Sequence, residues 1–438
     1  MKTKHLLLLF FVVLFSTAHL RAAGFTVDGI AYYITSSSSP YTVEVNSKSP
    51  KYTGDVIIPE YVTYNSITYS VTTIGPWAFY ECDGLTSVTI PNSVTSIWSY
   101  AFYGCTGLIL VSIPNSVTYI EGTVFENCTG LTSITIPNSI TSIGNYTFSG
   151  CSGLTSVTIP TSVASIGECA FWGCTGLTSL TIPYSVTVIG ERAFNGCGGL
   201  INVDSANPNY SSLDGVLFNK TQTALIQCPI SKIGSYIIPN SVTSIGNGAF
   251  RNCANLTSVS IPNSLTSIEY GAFYGCSGLT SVTIPNLVSS IGGAAFSGCS
   301  GLTSIYADPA APVDFGENGG VFYGVDKAAC TLYVPVGSKS LYEATDQWKE
   351  FENIVEHISS GIEGKTVYSA VSLTPNPATA FFILQGLTKE TCMDIFDISG
   401  KKILNKTVQP DEKISVERWI KGTYVVKVNG KTGKLLVK

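Results

Sequence analysis

Nine cysteines occupy the same place in a repeated sequence unit, where they could act as nucleophiles, bind a metal or form disulfides. Each follows a phenylalanine by three residues, and together they are Cys82, Cys105, Cys128, Cys151, Cys174, Cys197, Cys253, Cys276 and Cys299. The Gly-Cys-Ser/Thr-Gly sequences around them, such as Gly150–Gly153, resemble nucleophile turns. Because they recur in most units, we interpret them as turns of the repeat.

A column of small buried thiols is the favoured interpretation, since a free cysteine behaves as a small hydrophobe. Disulfides between neighbouring units are compatible with the expected distances, but they would strain several units in series. Cys169, Cys228, Cys330 and Cys392 are out of register and show no metal-ligand spacing. We therefore expect no metal site and no cofactor.

Four glutamates near the predicted turns, Glu121, Glu126, Glu168 and Glu191, are the acids that could form a glycosidase pair. Such chemistry needs two carboxylates held at a fixed separation. These acids are sparse and stand at variable positions of the repeat, which favours scattered, solvated side chains.

Histidine chemistry has little support in this sequence. His5 and His19 lie in the predicted signal segment, which leaves His357. A His-based triad or a His-rich metal site is therefore not expected. No phosphate loop, dinucleotide fingerprint or zinc-protease helix occurs. We predict that the protein is not an enzyme.

Aromatic residues on the polar face of the repeat form the candidate binding surface. They lie two residues before or one residue after the repeated phenylalanine, and Trp98 replaces a glycine beside them. The candidate partner-binding residues are Trp77, Tyr80, Trp98, Tyr100, Tyr103, Tyr146, Trp172 and Tyr274. Exposed aromatic rings are typical anchors for partner proteins or sugars. The alternative is that several pack against the next turn as part of the core.

The element that must position all these residues is a 23-residue unit, seen in succession as Leu131–Gly153 and Leu154–Gly176. Ile134 and Ile136 alternate with polar residues, as in a half-buried strand, and Pro137 ends that strand. A second short strand and one tight helical turn complete the unit. A single unit cannot bury its own apolar side, so the units must stack as a solenoid.

Charge is scarce and unevenly distributed. Charged residues make up 12% of the chain, and the net charge of −5 gives no reason to expect nucleic-acid binding. Residues 24–365 carry 23 acidic and 10 basic residues, whereas residues 366–438 carry 6 acidic and 11 basic residues. This change of sign predicts a boundary between two modules.

Five segments follow from these patterns. Residues 1–23 are a predicted signal peptide, with a basic start and an apolar run too short for a membrane span. Residues 24–75 form an N-terminal cap, and residues 76–302 hold the coils, with an irregular insertion at about 200–236. Residues 303–365 form a C-terminal cap, with a predicted helix over Ser340–Ile354. Residues 366–438 have the strand pattern of a small all-β sandwich.

The unit LTSVTIPxSVTSIGxxAFxGCxG, as at Leu85–Gly107, Leu154–Gly176 and Leu279–Gly301, resembles the BspA-like subclass of leucine-rich repeats. The resemblance covers about residues 24–357. It implies a β-rich leucine-rich-repeat solenoid of 23-residue coils with parallel short strands and short helical turns. It also implies a surface adhesin that binds host matrix proteins or other cells.

The last segment is similar to the sorting domain of type IX secretion in Bacteroidetes. The matching motif residues are Pro375, Asn376, Pro377, Asp397, Gly400, Lys401, Gly422 and Tyr424. The resemblance implies export across the outer membrane by the type IX machinery, followed by removal of the domain.

The two resemblances lead to one expectation about function. We expect a secreted or cell-surface adhesin, or protein-binding scaffold, that meets host matrix proteins, cell-surface proteins or glycans. The alternative is a carbohydrate-binding accessory protein that uses the aromatic columns. Neither reading includes a nucleic-acid partner or a transmembrane segment.

Overall fold

The computed structural model describes residues 24–315, 319–357, 372–374, 378, 380–385, 390–397, 401–410, 412–428 and 431–437. The predicted signal peptide lies outside these residues. The chain divides into two compact units, one up to Glu356 and one from His357. The first unit is a β-solenoid of about 12 coils, and the second is rich in strands.

Six strands open the solenoid: β1 (Gly24–Val27), β2 (Ile30–Ser36), β3 (Thr42–Asn46), β4 (Gly54–Ile57), β5 (Tyr61–Tyr64) and β6 (Ile67–Ile74). Strands β1, β2 and β3 pair antiparallel, and β5 pairs antiparallel with β6. Strands β4 and β6 instead pair parallel with the first coil, which joins this cap to the repeats.

Two parallel ladders run along the first set of coils. Their strands are β7 (Leu85–Thr89), β8 (Ser96–Ile97), β9 (Leu110–Ser112), β10 (Tyr119–Ile120), β11 (Ser133–Thr135), β12 (Ser142–Ile143), β13 (Ser156–Thr158), β14 (Ser165–Ile166), β15 (Ser179–Ile182), β16 (Val188–Ile189) and β17 (Leu200–Val203). Partners between regular coils are 23 residues apart, as in Ile134 with Val157 and Ile143 with Ile166. The spacing shortens to 21 residues between β15 and β17, where the insertion begins. Like residues therefore lie above like residues in the core.

A column of phenylalanine rings forms the centre of this core. Adjacent rings lie nearly parallel, with centroids 5.0 Å apart for Phe79 and Phe102 and 5.7 Å apart for Phe125 and Phe148. Stacked aromatic pairs add about 0.5–1.5 kcal/mol each beyond the burial of their area. Tyr52 packs against Phe79 and closes the N-terminal end of the column.

The in-register cysteines form a second column beside the rings. They are buried free thiols, as the sequence predicts. In seven of the nine, Sγ donates to the backbone oxygen of a phenylalanine in the preceding coil, at 2.9 Å for Cys105 to Phe79 and 3.1 Å for Cys151 to Phe125. The exceptions are Cys82, which donates to Tyr80, and Cys253, which donates to Cys228 and Pro229 at the break. The thiols therefore help to hold the coils in register, a role that the sequence alone does not show.

The insertion interrupts both columns at a place that we call the break. Its strands are β18 (Tyr210–Leu213), β19 (Val216–Asn219), β20 (Ala224–Gln227) and β21 (Gly234–Ile237). The insertion contains a hairpin, in which β18 and β19 pair antiparallel and are joined through left-handed residues Asp214 and Gly215.

At the break one coil is abbreviated, with Cys228 at the place of the phenylalanine. The N–H of Cys228 donates to Ala249 at 2.7 Å, as Phe171 donates to Ala193 in a regular coil. Phe194 therefore does not stack on Phe250, and the ring of Tyr236 packs against Phe250 instead. The hydrophobic core accordingly forms two clusters that meet at Val216 and Leu217.

Regular coils resume with β22 (Ser244–Ile245), β23 (Leu256–Ser260), β24 (Ser267–Ile268), β25 (Ser281–Ile284), β26 (Ser290–Ile291) and β27 (Ser304–Ala307). The closing elements are β28 (Thr331–Pro335), α1 (Lys339–Ala344) and β29 (Asn353–His357). Phe322 extends the ring column, and Trp348 covers it at a centroid distance of 5.1 Å.

The predicted helix over Ser340–Ile354 is wrong in length. Thr345 is extended and Gln347 is left-handed, so the helix ends at Ala344. This bend lets Trp348 reach Phe322 and donate its indole N–H to Val313 at 2.9 Å. Burial of the indole thus outweighs the helical pattern of the sequence.

The second unit is built from β30 (Ser372–Thr374), β31 (Phe381–Gln385), β32 (Thr391–Asp397), β33 (Lys402–Val408), β34 (Lys413–Ser415), β35 (Gly422–Val428) and β36 (Lys431–Val437). One antiparallel sheet has the order β30-β31-β34, and the other has the order β33-β32-β35-β36. Both contribute to one apolar cluster, with Phe382 and Ile414 from the first and Ile395 and Val426 from the second. This is the predicted all-β sandwich.

Candidate binding surface

The turn that carries the candidate aromatic residues follows the short strand of each coil. In the first coil, Ala78 donates to Gly75, Tyr80 to Trp77, and Cys82 to Phe79, all three residues apart. The predicted helical turn is therefore a succession of single hydrogen-bonded turns. Phe79 also donates to Ala101 of the next coil at 2.7 Å, so stacking fixes the turn.

One residue of every such turn has a left-handed backbone, two positions before the phenylalanine. The φ angles lie between 51° and 63° for Trp77, Tyr100, Thr123, Tyr146, Cys169, Arg192, Gly248, Gly271 and Ala294. Only glycine adopts this region freely, and the left-handed conformation costs other residues about 1–2 kcal/mol each. Two coils use glycine, so the repeat does not require a side chain at this position.

Four aromatic rings from two adjacent coils form a surface group that we call the aromatic cluster: Trp77, Tyr80, Tyr100 and Tyr103. Trp77 stacks on Tyr100 with centroids 6.0 Å apart, and Tyr80 stacks on Tyr103 at 5.1 Å. Tyr100 meets Tyr103 edge to face at 5.7 Å, which joins the two pairs. Trp77 is 48% exposed, whereas the three tyrosines are half-buried.

A second aromatic pair links the second of these coils to the coil that follows it. Trp98, which is exposed, packs against Tyr119 at a centroid distance of 5.6 Å. The sequence predicted Trp98 but missed Tyr119, because Tyr119 stands in a strand position that is serine in most coils. Five of the eight predicted residues thus belong to the first two coils.

The other three predicted residues lie near the break. Tyr146 and Trp172 line a cavity of about 220 Å³ that we call the cleft, and the cleft also includes Arg192 and Arg251. Tyr274 lies beneath the guanidinium of Arg251, 4.0 Å from its carbon. The candidate residues therefore form two separate sites rather than one continuous column.

Tyr146 is held at the rim of the cleft by polar contacts. Its hydroxyl donates to Glu168 at 3.2 Å. Interaction with the thiol of Cys169, together with burial and the charge of Glu168, raises the pKa of Tyr146 to about 12. Tyr146 is therefore a neutral hydrogen-bonding group at physiological pH.

The four glutamates considered as an acid pair have separate environments. Glu121 accepts from the N–H of Ser99 at 3.0 Å, and Glu191 accepts from Asn247. Burial alone raises the pKa of Glu126. Because their environments differ, we interpret these glutamates as individual surface acids.

The predicted sorting residues are described only in part. Asp397 and Lys401 close the hairpin between β32 and β33, where the N–H of Lys401 donates to the Asp397 carboxylate at 3.0 Å. Tyr424 donates its hydroxyl to Ile420 at 2.7 Å, and Gly422 begins β35. Pro375, Asn376, Pro377 and Gly400 lie outside the described residues.

The stacked coils define the class of this protein as a leucine-rich-repeat solenoid. Residues 60–175, 123–237 and 227–311 match the BspA type leucine rich repeat region, in six copies. These ranges cover more than half of the chain, so the protein belongs to the BspA-type leucine-rich-repeat family. Residues 372–438 match the secretion system C-terminal sorting domain.

Two solved structures are similar to the solenoid. A leucine rich cell surface protein from Faecalibacterium prausnitzii A2-165 is 29% identical over 74% of this chain and 97% of its own, with a TM-score of 0.55. The pneumococcal vaccine antigen PcpA is 22% identical over 77% of this chain and 100% of its own, with a TM-score of 0.58, and supports the fold alone. No curated protein matches the chain.

The family and the sorting domain indicate where the protein is located. It is a secreted or surface repeat protein that the type IX machinery exports through its C-terminal domain. Among the described residues, no helix is long and apolar enough to cross a membrane.

Proposed function

We propose that this protein is a non-enzymatic adhesin that binds a host matrix or cell-surface protein through the aromatic cluster. The observation that carries the proposal is the backbone of Trp77 and Tyr100, which are both left-handed. Glycine at the same position in Gly248 and Gly271 shows that bulky side chains are not needed for stacking. Residues kept in an unfavourable backbone region are often functional.

The geometry of the cluster suits a protein partner. Four rings form one connected group on two coils, and Trp77 presents about half of its surface. Aromatic anchors of this kind dominate the energetics of protein interfaces. The carbohydrate-binding alternative uses the same rings, because a sugar can stack on an exposed indole face.

The test is binding of the full chain to a panel of matrix proteins and to a glycan array. The double variant Trp77→Gly/Tyr100→Gly removes two rings while giving glycine to two left-handed positions, so the fold should persist. We expect at least a tenfold loss of matrix-protein binding. The matched control is Tyr323→Ala, which removes an exposed ring beside Phe322 in the last coil and should leave binding unchanged.

Two results would contradict the adhesin proposal. Unchanged matrix-protein binding by the double variant would show that the aromatic cluster is not the contact surface. Binding to glycans alone, lost in the same variant, would instead support the carbohydrate-binding accessory protein.

We also propose the segment boundaries that the sequence indicates, with residues 1–23 as a Sec signal and residues 366–438 as the removable sorting domain. Deletion of residues 366–438 should leave the protein in the periplasm of its host cell, as detected by fractionation. Normal surface display of the shortened chain would contradict this assignment. The same fractions also show whether the exported protein is released from the cell or attached to its surface.

A further inference from the structure

The cleft at the break is a second site, separate from the aromatic cluster and independent of the adhesin proposal. It exists because the abbreviated coil lacks the turn that a regular coil would place between Arg192 and Gly248. Its sides come from the two repeat positions that carry the candidate aromatic residues in other coils. The position one residue after the phenylalanine supplies Trp172, Asn195 and Arg251, and the position two residues before it supplies Cys169, Arg192 and Gly248.

Asn195 is the polar side chain at the base of the cleft. It is 1% exposed, and neither its Nδ2 nor its Oδ1 has a hydrogen-bond partner among the described residues. Gly248 lies directly against it, since a Cβ at position 248 would be 2.1 Å from Nδ2. A buried amide without hydrogen-bond partners lowers the stability of the fold by about 1–3 kcal/mol. Such a group in a cavity indicates that a polar ligand or solvent completes its hydrogen bonds.

Backbone donors are also left without acceptors at this coil. In the eight other regular coils, the N–H of the phenylalanine and the N–H two residues later both donate to the next coil, as Phe171 and Gly173 do. The corresponding groups of Phe194 and Gly196 have no acceptor within the described part of the chain. Both residues are buried, and orphaned buried N–H groups are rare in native proteins. The break therefore leaves two buried backbone N–H groups of the same coil without acceptors among the residues that the structure describes.

The two charged side chains that line the cleft are arginines, and Glu168 lies at its rim through the hydrogen bond with Tyr146. The guanidiniums of Arg192 and Arg251 face aromatic rings, at 5.4 Å from Tyr270 and 4.0 Å from Tyr274. Neither forms a salt bridge within the described residues, and no acid lines this cavity. An arginine without a carboxylate partner can bind one in bidentate geometry. The indole of Trp172 is 41% exposed beside them and offers a flat apolar face.

We propose that the cleft binds a carboxylated sugar unit of an acidic glycan. The carboxylate would be held by Arg192 and Arg251, the ring would stack on Trp172, and hydroxyls would bond the amide of Asn195. A cavity of about 220 Å³ has room for one small unit rather than an extended segment. A peptide is less suited, because peptide recognition typically uses an open sheet edge or a long groove.

The test is isothermal titration of the full chain with four probes: methyl β-glucuronide, the methyl glycoside of sialic acid, methyl β-glucoside and an Asp-rich tetrapeptide. We expect one of the two carboxylated sugars to bind at least tenfold more tightly than the neutral glucoside, and the pair distinguishes uronic from sialic acids. Arg192→Gln and Arg251→Gln should each weaken that binding at least tenfold. Asn195→Leu should weaken it while leaving the thermal midpoint unchanged or raised.

The control variant is Trp77→Gly/Tyr100→Gly, which should leave sugar binding unchanged even if it abolishes adhesion. The proposal is overturned if no carboxylated sugar binds more tightly than the glucoside. It is also overturned if the tetrapeptide alone binds, or if both arginine variants keep the wild-type affinity while remaining folded.

Discussion

Trp77 and Tyr100 lie face to face at the surface, with ring centroids 6.0 Å apart and only 3° between the ring planes. Phe79 and Phe102 stack in the same way in the core, at 5.0 Å and 4°. The same 23-residue translation relates both pairs. The surface rings are therefore aligned by the stacking that builds the core, which presents them as a preformed binding surface.

The left-handed column leads to a prediction about stability. Ala294 has a φ of 55° and a side chain too small to make a functional contact. Ala294→Gly should leave the free energy of unfolding unchanged or raise it by up to about 1 kcal/mol, because glycine relieves the left-handed strain. The measurement is the urea midpoint of the full chain.

The neighbouring residue provides the matched control. Ala295 is buried and is not left-handed, so Ala295→Gly should lower the free energy of unfolding by about 1 kcal/mol or more. Equal destabilisation by both variants would show that position 294 carries no backbone strain.

The repeat made most of the solenoid predictable, and the exceptions have physical causes. Phe322 belongs to the ring column but follows Phe296 by 26 residues, so a search at a spacing of 23 misses it. The glycines at 248 and 271 are the sequence signal for the left-handed column, because they stand in register with Trp77. That signal is present in the sequence but needs the backbone angles to be interpreted.

The cleft could not have been predicted from sequence. It depends on Cys228 taking the place of a phenylalanine, which becomes visible only through its hydrogen bond to Ala249. Asn195 stands at a repeat position where most side chains are exposed or half-buried, yet it is 1% exposed, because the following coil has a glycine against it. Tertiary pairing across the insertion decides both outcomes.

Because the core is interrupted at the break, we predict that a destabilising core substitution affects only the set of coils that contains it. Phe148 is buried in the first cluster, and Phe148→Ala should lower stability by about 3–5 kcal/mol. Because repeat proteins couple mainly through neighbours, the loss of hydrogen-exchange protection should be confined to coils before the break. Phe273→Ala is the matched variant in the second cluster. Equal loss of protection on both sides of the break in either variant would refute this separation.

The burial of the thiols predicts their reactivity. The chain has 13 cysteines, and Cys392 is the one that is exposed. Burial raises the pKa of the Cys151 thiol, which keeps it protonated and unreactive. A thiol reagent such as DTNB should therefore label one cysteine per native chain and 13 in denaturant. Cys392→Ser should abolish native labelling, whereas rapid labelling of several thiols in that variant would contradict the closed core.

The carboxyl group of Asp308 predicts how stability depends on pH. Asp308 is 7% exposed within the C-terminal cap, and burial raises its pKa from 3.8 to about 6. Between these values the unfolded chain releases the proton more readily than the folded chain. The free energy of unfolding should therefore fall by about 3 kcal/mol in total as pH rises from below 3.8 to above 6, and then level off.

Asp308→Asn should remove this dependence, as measured by urea unfolding at several pH values. Asp55 provides a control of opposite sign, because hydrogen bonds from Ser87 and Thr86 lower its pKa. Its contribution is lost as pH falls through the folded pKa, so Asp55→Asn should leave the decline between pH 4 and 6 intact. A decline that persists in Asp308→Asn would assign it to another buried acid, with Glu126 as the next candidate, since burial also raises its pKa.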